Sequence, residues 1–127
     1  MTTDILVHRH GVPTLICAVD GPELRDERDA VDVIGTAFQH EAELVVIPVE
    51  RLAEDFFTLS TGVAGGIAQK FVNYHLRLAI VGDISAFTTV STALRDFVYE
   101  TNRGRQLWFC PTEDDLDERL AAGARRN

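Results

Sequence analysis

Apolar positions along this chain recur with two periods, and the switches between them mark the elements. From Asp4 to His10 polar and apolar residues alternate, with Ile5 and Val7 on one side, which predicts a first strand. Thr14 to Val19 is apolar on both faces and predicts a second. His10-Gly11-Val12-Pro13 lies between them as a turn, so the two strands are expected to pair as an antiparallel hairpin. Gly21-Pro22 then breaks the chain. A helical period follows from about Leu24 to Gln39, where Ala30, Ile34, Ala37 and Phe38 stand opposite Arg28, Asp29 and Asp32. Leu44 to Val49 (LVVIPV) has no polar alternation, the mark of a strand covered on both faces, and Pro48 is expected to end its pairing.

Glu50 to Leu59 reads as a long connection, after which a helix starts near Ser60-Thr61-Gly62 and runs to about Asn73. Leu76 to Val81 predicts a fourth strand. Thr88 or Thr89 can cap a third long helix with Val90, Leu94, Phe97 and Val98 as its apolar stripe, and Gly104 is expected to end it in the left-handed conformation. Gln106 to Cys110 predicts a fifth strand. Thr112 and Asp115 have capping-box spacing before a last helix with Leu116 and Leu120 on its apolar side, and residues 123–127 read as a frayed tail. The order β-β-α-β-α-β-α-β-α predicts one α/β domain over residues 1–127. Its sheet should be mostly parallel, with right-handed crossovers and one antiparallel N-terminal strand.

Charge narrows the function. The net charge of -8 argues against non-specific nucleic-acid binding, which rests on phosphate neutralisation by Lys and Arg. It is also uneven: residues 1–64 carry twelve acids and four bases, whereas residues 65–127 carry eight of each. The acidic half reads as a solvated helix face or as a docking surface for a basic partner. No apolar run approaches the length of a membrane span, and Met1-Thr2-Thr3-Asp4 lacks the basic start of a signal peptide, so a cytoplasmic protein is expected. Cys17 and Cys110 sit in apolar segments and read as buried, reduced thiols.

Candidate chemistry gathers at the carboxyl ends of the parallel strands, where α/β sheets hold ligands. Ser60, Thr61 and Gly62 fall where a helix should begin, a natural place for an anion. Asp55 lies nearby, and Phe57 is either a core plug or, if exposed, part of a binding surface. Asp83 and Ser85 follow the fourth strand, where an acid can serve as acid, base or metal ligand. His8 and His10 are spaced to share a strand face. Arg103 and Arg105 flank Gly104, as partners of a helix carboxyl end or as an anion clamp. There is no Walker A loop, GxGxxG, Cys-x-x-Cys pair or nucleophile elbow, and neither a cofactor nor a metal is expected.

The runs DFFTLSTGVAGGIAQKFVNY, RLAIVGDIS and ALRDFVYETNRGRQ, between Asp55 and Gln106, resemble a bacterial family known as domain-of-unknown-function family 4180. Gly66 stands where that resemblance implies an acidic residue. The family implies no activity. The order of elements is also similar to that of anti-sigma-factor antagonist (STAS) domains, in which a phosphorylatable Ser begins the helix after the third strand. Leu59-Ser60-Thr61-Gly62 occupies a similar place, which implies Ser60 and Thr61 as phosphorylation candidates. The leading expectation is a non-catalytic regulatory module that binds a protein partner. The alternative is a small-anion binder or enzyme that joins the Ser60–Gly62 helix start to Asp83. A third expectation is a homodimer anchored by Trp108, which points away from Leu107 and Phe109 on its strand.

Overall fold

His10 and Gly11 alone make the first turn. Both have positive φ, +51° and +81°, the two-residue geometry that suits the twist of a hairpin. The computed structural model describes residues 3–125. In it the turn joins β1 (Ile5–Arg9) to an antiparallel β2 (Val12–Ile16). The second strand therefore begins earlier than the sequence predicts, and Pro13 lies inside it rather than in the turn. Pro13 needs no donor there, and its carbonyl accepts the Glu43 N–H of the next strand at 2.8 Å.

The remaining strands and α-helices are α1 (Glu27–Gln39), β3 (Leu44–Pro48), α2 (Val63–Asn73), β4 (Arg77–Val81), a short helical turn α3 (Ser85–Thr88), α4 (Thr92–Arg103), β5 (Leu107–Cys110) and α5 (Glu113–Arg125), with three 3₁₀ turns (Val49–Arg51, Glu54–Phe57 and Leu59–Thr61) between β3 and α2. The strands stand in consecutive order β1-β2-β3-β4-β5, and every pairing after the hairpin is parallel. Leu15, Val45, Ile47, Leu78, Ile80 and Phe109 meet Ala30, Ile34, Ile67, Phe71 and Leu94 of α1, α2 and α4 in one core. Leu44, Val46, Ala79, Trp108 and Cys110 face the other way and meet Leu116 and Leu120 of α5. β3 is thus buried on both faces, as its unbroken apolar run requires.

Several boundaries differ from the expectation, each for a local reason. Asp26, not a residue near Leu24, caps α1 by accepting the Asp29 N–H. Leu24 instead forms a one-residue parallel bridge with Leu52. The buried stripe of α1 is Ala30, Val33, Ile34 and Ala37, while Phe38 is 49% exposed and meets Tyr74 edge-to-face. Ser91 caps α4 through the Leu94 N–H, which leaves Val90 outside the helix and 83% exposed. Gly104 is extended, with φ of -92°, not left-handed. The Thr112–Asp115 capping box forms as its spacing predicts. α5 continues to Arg125, through part of the expected tail, and Arg126 and Asn127 lie outside the described residues.

Two contacts tie the ends of the chain together. Arg9 pairs with Glu113 at 2.6 Å and His10 with Asp117 at 3.2 Å, so the first hairpin is docked on the last helix. At the opposite end of the sheet Arg51 is only 5% exposed. Its Nε donates to the Pro22 carbonyl at 2.6 Å and its Nη1 to the Ala18 carbonyl at 2.8 Å, pinning the loop after β2. Gly21 lets that loop close: a Cβ there would sit 2.6 Å from the guanidinium carbon. Among the described residues both cysteines are free and buried, and burial pushes the Cys17 thiol up to about 12 and the Cys110 thiol up to about 11.

Arg51→Ala removes the guanidinium donor from two carbonyls, leaving Ala18 only a long bond from the Gly21 N–H, and is expected to cost about 2–4 kcal/mol in urea denaturation. Removal of the exposed Arg25, paired with Asp29, should cost about 0.5 kcal/mol or less. Comparable losses for the two would contradict the role given to Arg51. Neither thiol should react with Ellman's reagent at pH 8 until the chain is unfolded. Stoichiometric labelling of the native protein would contradict the burial.

Candidate functional site

A sheet with consecutive strand order never reverses direction, so it lacks the crevice that a reversal opens at the carboxyl ends of the strands. Around Val49 and Phe57 that end is filled. Gly82, with φ of +144°, packs so closely on Val49 that a Cβ would stand 2.6 Å from a methyl group. Phe57 is 5% exposed and stacks on Phe87 of α3, with ring centroids 4.2 Å apart, so it is a core plug and not part of a binding surface. Asp55 is exposed on a 3₁₀ turn (Glu54–Phe57).

The expected anion site at the start of α2 is divided between two hydroxyls with different fates. Gly62 holds the left-handed conformation, with φ of +80°, and α2 begins after it. The Thr61 hydroxyl donates toward the carbonyls of Asp55 (2.7 Å) and Thr58 (2.8 Å) and accepts the Val63 N–H (3.2 Å), so it serves as a local cap. Ser60 is exposed on the same turn. Asp83 is exposed and its carboxylate accepts the Ser85 N–H at 2.9 Å, which holds it below the usual carboxylate range. It is therefore ionised at neutral pH and acts as a turn residue that opens α3. Asp83 and Ser85 line a cavity of about 420 Å³ with Arg95, Tyr99 and Phe109; Ser60, Thr61 and Gly62 do not line it. The convergence of Ser60–Gly62 with Asp83 on one cleft is not what the fold builds.

The amino end of the sheet is different. A cavity of about 530 Å³ opens there between the strand starts, the loop after α4 and helix α5, and four arginines line it: Arg77, Arg103, Arg105 and Arg119. Its floor includes Trp108. The Arg77 guanidinium lies 4.6 Å from the centre of the Trp108 ring and that of Arg119 lies 5.2 Å from it, within reach of cation–π attraction. Each is also anchored by the carboxyl end of α4 and the loop that follows. Arg119 Nη1 donates to the Asn102 carbonyl (3.0 Å), Arg77 Nε to the Arg105 carbonyl (2.9 Å), and the Trp108 indole N–H to the Gly104 carbonyl (2.8 Å). The first of these bonds satisfies a carbonyl that the helix end leaves open, and together they hold the two guanidinium groups and the ring in place. Trp108 is 7% exposed beneath α5, so it is not the anchor of a dimer interface.

The charge at this end is poorly balanced. The ion pairs among the described residues are Arg9–Glu113, Arg25–Asp29 and a long Glu100–Arg103 contact of 3.9 Å, and His10 hydrogen-bonds to Asp117. Arg77, Arg105 and Arg119 take part in none of them. Burial lowers the pKa of Arg77, and the neighbouring positive charge of Arg105 lowers it further, against an opposing effect of Glu43. Holding these cations together costs free energy that a bound anion would recover. The sequence exposes only the Arg103–Arg105 pair. Arg77 opens a strand and Arg119 sits mid-helix, and only the β4–β5 pairing and the path of α5 bring them beside that pair.

His8 and His10 do not share a strand face, because His10 is in the turn and bonded to Asp117. No group of three or more His, Cys, Asp or Glu side chains that could hold a metal is found among the described residues. No helix among them is long and apolar enough to cross a membrane. A Cβ at Gly66 would meet the carboxylate of the exposed Glu27 of α1 at 2.5 Å, a contact that a shift of that flexible side chain relieves. The hydroxyl assignments have a direct consequence. Thr61→Ala should lower stability by about 1 kcal/mol, and Ser60→Ala should change it by less than about 0.5 kcal/mol, both read from denaturant midpoints. The reverse order would contradict the capping role of Thr61.

No curated protein matches the chain, and no solved structure does. The sequence profile of a family described as Domain of unknown function (DUF4180) matches residues 9–120, a span that runs from the end of β1 into α5 and takes in all four arginines of the cavity. The chain belongs to that family.

Proposed function

We propose that this protein is a non-catalytic regulatory module that binds a small anion at the amino end of its sheet. One observation carries the reading: four arginines line a single cavity in a chain whose net charge is -8, and three of them have no acidic partner within ion-pair distance among the described residues. Arginine suits such a task because its planar donor fork matches the oxygens of carboxylates and phosphates. The anion site of the alternative sequence reading is kept in kind and moved in place, from the start of α2 to the opposite end of the sheet. The two free, buried thiols support a reducing compartment such as the cytoplasm.

A second reading has its own observation. Ser60 is exposed while the neighbouring Thr61 hydroxyl is committed to the backbone, so a phosphate that governs docking of a protein partner would go to Ser60. Peptide mapping of the protein from its own cells should then find phosphate on Ser60 and none on Thr61. Phosphate on Thr61, or on neither, would remove this reading.

For the principal reading, titration calorimetry with inorganic phosphate at fixed ionic strength should show a single saturable site. Arg77→Gln and Arg119→Gln should each weaken binding about tenfold or more, as expected for a lost charge-assisted contact. Affinity should also fall as sodium chloride rises. Absence of binding, or variants that bind as tightly as the parent, would contradict the proposal.

A further inference from the structure

The lining of the arginine cavity is ordered along the sheet edge, and strand order sets that polarity. The β1–β2 turn brings His10 to one side, the start of β3 brings Glu43, the start of β4 brings Arg77, and the loop into β5 brings Arg105. Glu43 and Arg77 are neighbours through the sheet, where the Arg77 N–H donates to the Glu43 carbonyl at 3.1 Å. Arg77 Nε in turn reaches the Arg105 carbonyl on the other side. The cavity therefore runs from an imidazole and a carboxylate to a cluster of guanidinium groups.

Three features limit what fits. Arg77 and Arg119 each spend one N–H on a backbone carbonyl and keep the rest of their donors. With Arg105 beside them they offer more donors than one carboxylate can accept, and a tetrahedral phosphate with three terminal oxygens matches them better. The cavity, about 530 Å³, is of the size that holds small organic ligands and is larger than a bare oxyanion requires. Glu43, exposed and acceptor-only when ionised, disfavours a second anionic group at its end and favours a hydroxyl or amine donor.

We infer that the cavity takes a phosphomonoester of a small hydroxylated molecule, with its phosphate against Arg77, Arg105 and Arg119 and its hydroxyl groups toward Glu43. This inference rests on the anion-binding reading above. It assigns Glu43 as the group that distinguishes an organic phosphate from a free one. His10, held by Asp117, also lines the cavity.

The test is calorimetry on the full chain with inorganic phosphate, glycerol 3-phosphate and tripolyphosphate, repeated with Glu43→Gln. Glycerol 3-phosphate should bind about tenfold tighter than inorganic phosphate, the gain expected when a hydrogen bond to an ionised acceptor is added. Tripolyphosphate should bind no tighter than glycerol 3-phosphate. In Glu43→Gln the affinity for inorganic phosphate should hold or rise, and the advantage of glycerol 3-phosphate should shrink. Equal affinities for phosphate and glycerol 3-phosphate, an advantage unchanged in Glu43→Gln, or tripolyphosphate binding tightest would overturn the phosphomonoester while the anion site stands. Failure of all three probes to bind would overturn both.

Discussion

Consecutive strand order is the constraint from which the rest of the structure follows. With right-handed crossovers, a sheet that adds each new strand beside the last must place its crossover helices on one face. α1, α2 and α4 occupy that face and share one core. The second face falls to α5, which packs on β4 and β5 through Leu116 and Leu120. The first hairpin reaches over to it through Arg9 and His10. The arginine cavity lies at the amino ends of the strands, bounded by α5, the hairpin turn and the loop after α4.

The same order explains why the carboxyl ends are an unpromising place for chemistry. Without a reversal of strand order no crevice opens between neighbouring strands there, and Phe57, Val49, Gly82 and Arg51 close the space beyond β2 and β3, which leaves the cavity between α3 and α4 beside Asp83. At the amino end, Trp108 has three tasks that reinforce one another. It buries its ring beneath α5, ties its N–H to Gly104, and offers its face to Arg77 and Arg119. The attraction to the ring and the open carbonyls near the end of α4 offset the repulsion among the cations without neutralising them. An acidic chain thus keeps a local cluster of positive charge at one end of its sheet.

The elements were legible in the sequence because each is long enough for its period to register: five strands, four long helices and the hairpin follow from the spacing of apolar residues. Errors fall where one residue decides. Asp26 rather than Leu24 begins α1 because a side-chain oxygen was available for the Asp29 N–H, and Ser91 took the same role in α4. Pro13 could enter β2 because the strand needed its carbonyl and not its nitrogen. The site was legible only in fragments. Ser60, Thr61 and Asp83 drew attention by residue type, but Thr61 and Asp83 turn out to hold the backbone. Of the cationic set, Arg103 and Arg105 stood out as neighbours in sequence. Arg77 and Arg119 are far apart in the chain, and no local pattern marks a meeting that tertiary structure alone produces.

The proposed anion site lies at the amino end of the sheet, over Trp108. The chain holds a single tryptophan, so its indole N–H gives one assignable signal inside the cavity. An NMR titration with phosphate that follows this signal, the arginine Nε–H signals and the backbone amides tests that placement most directly. The account predicts saturable shifts of the Trp108 indole and the Arg77 Nε–H, with the amides of Gly62, Val63 and Ser85 unmoved. Shifts gathered at residues 60–66 or 83–85, with Trp108 silent, would contradict it.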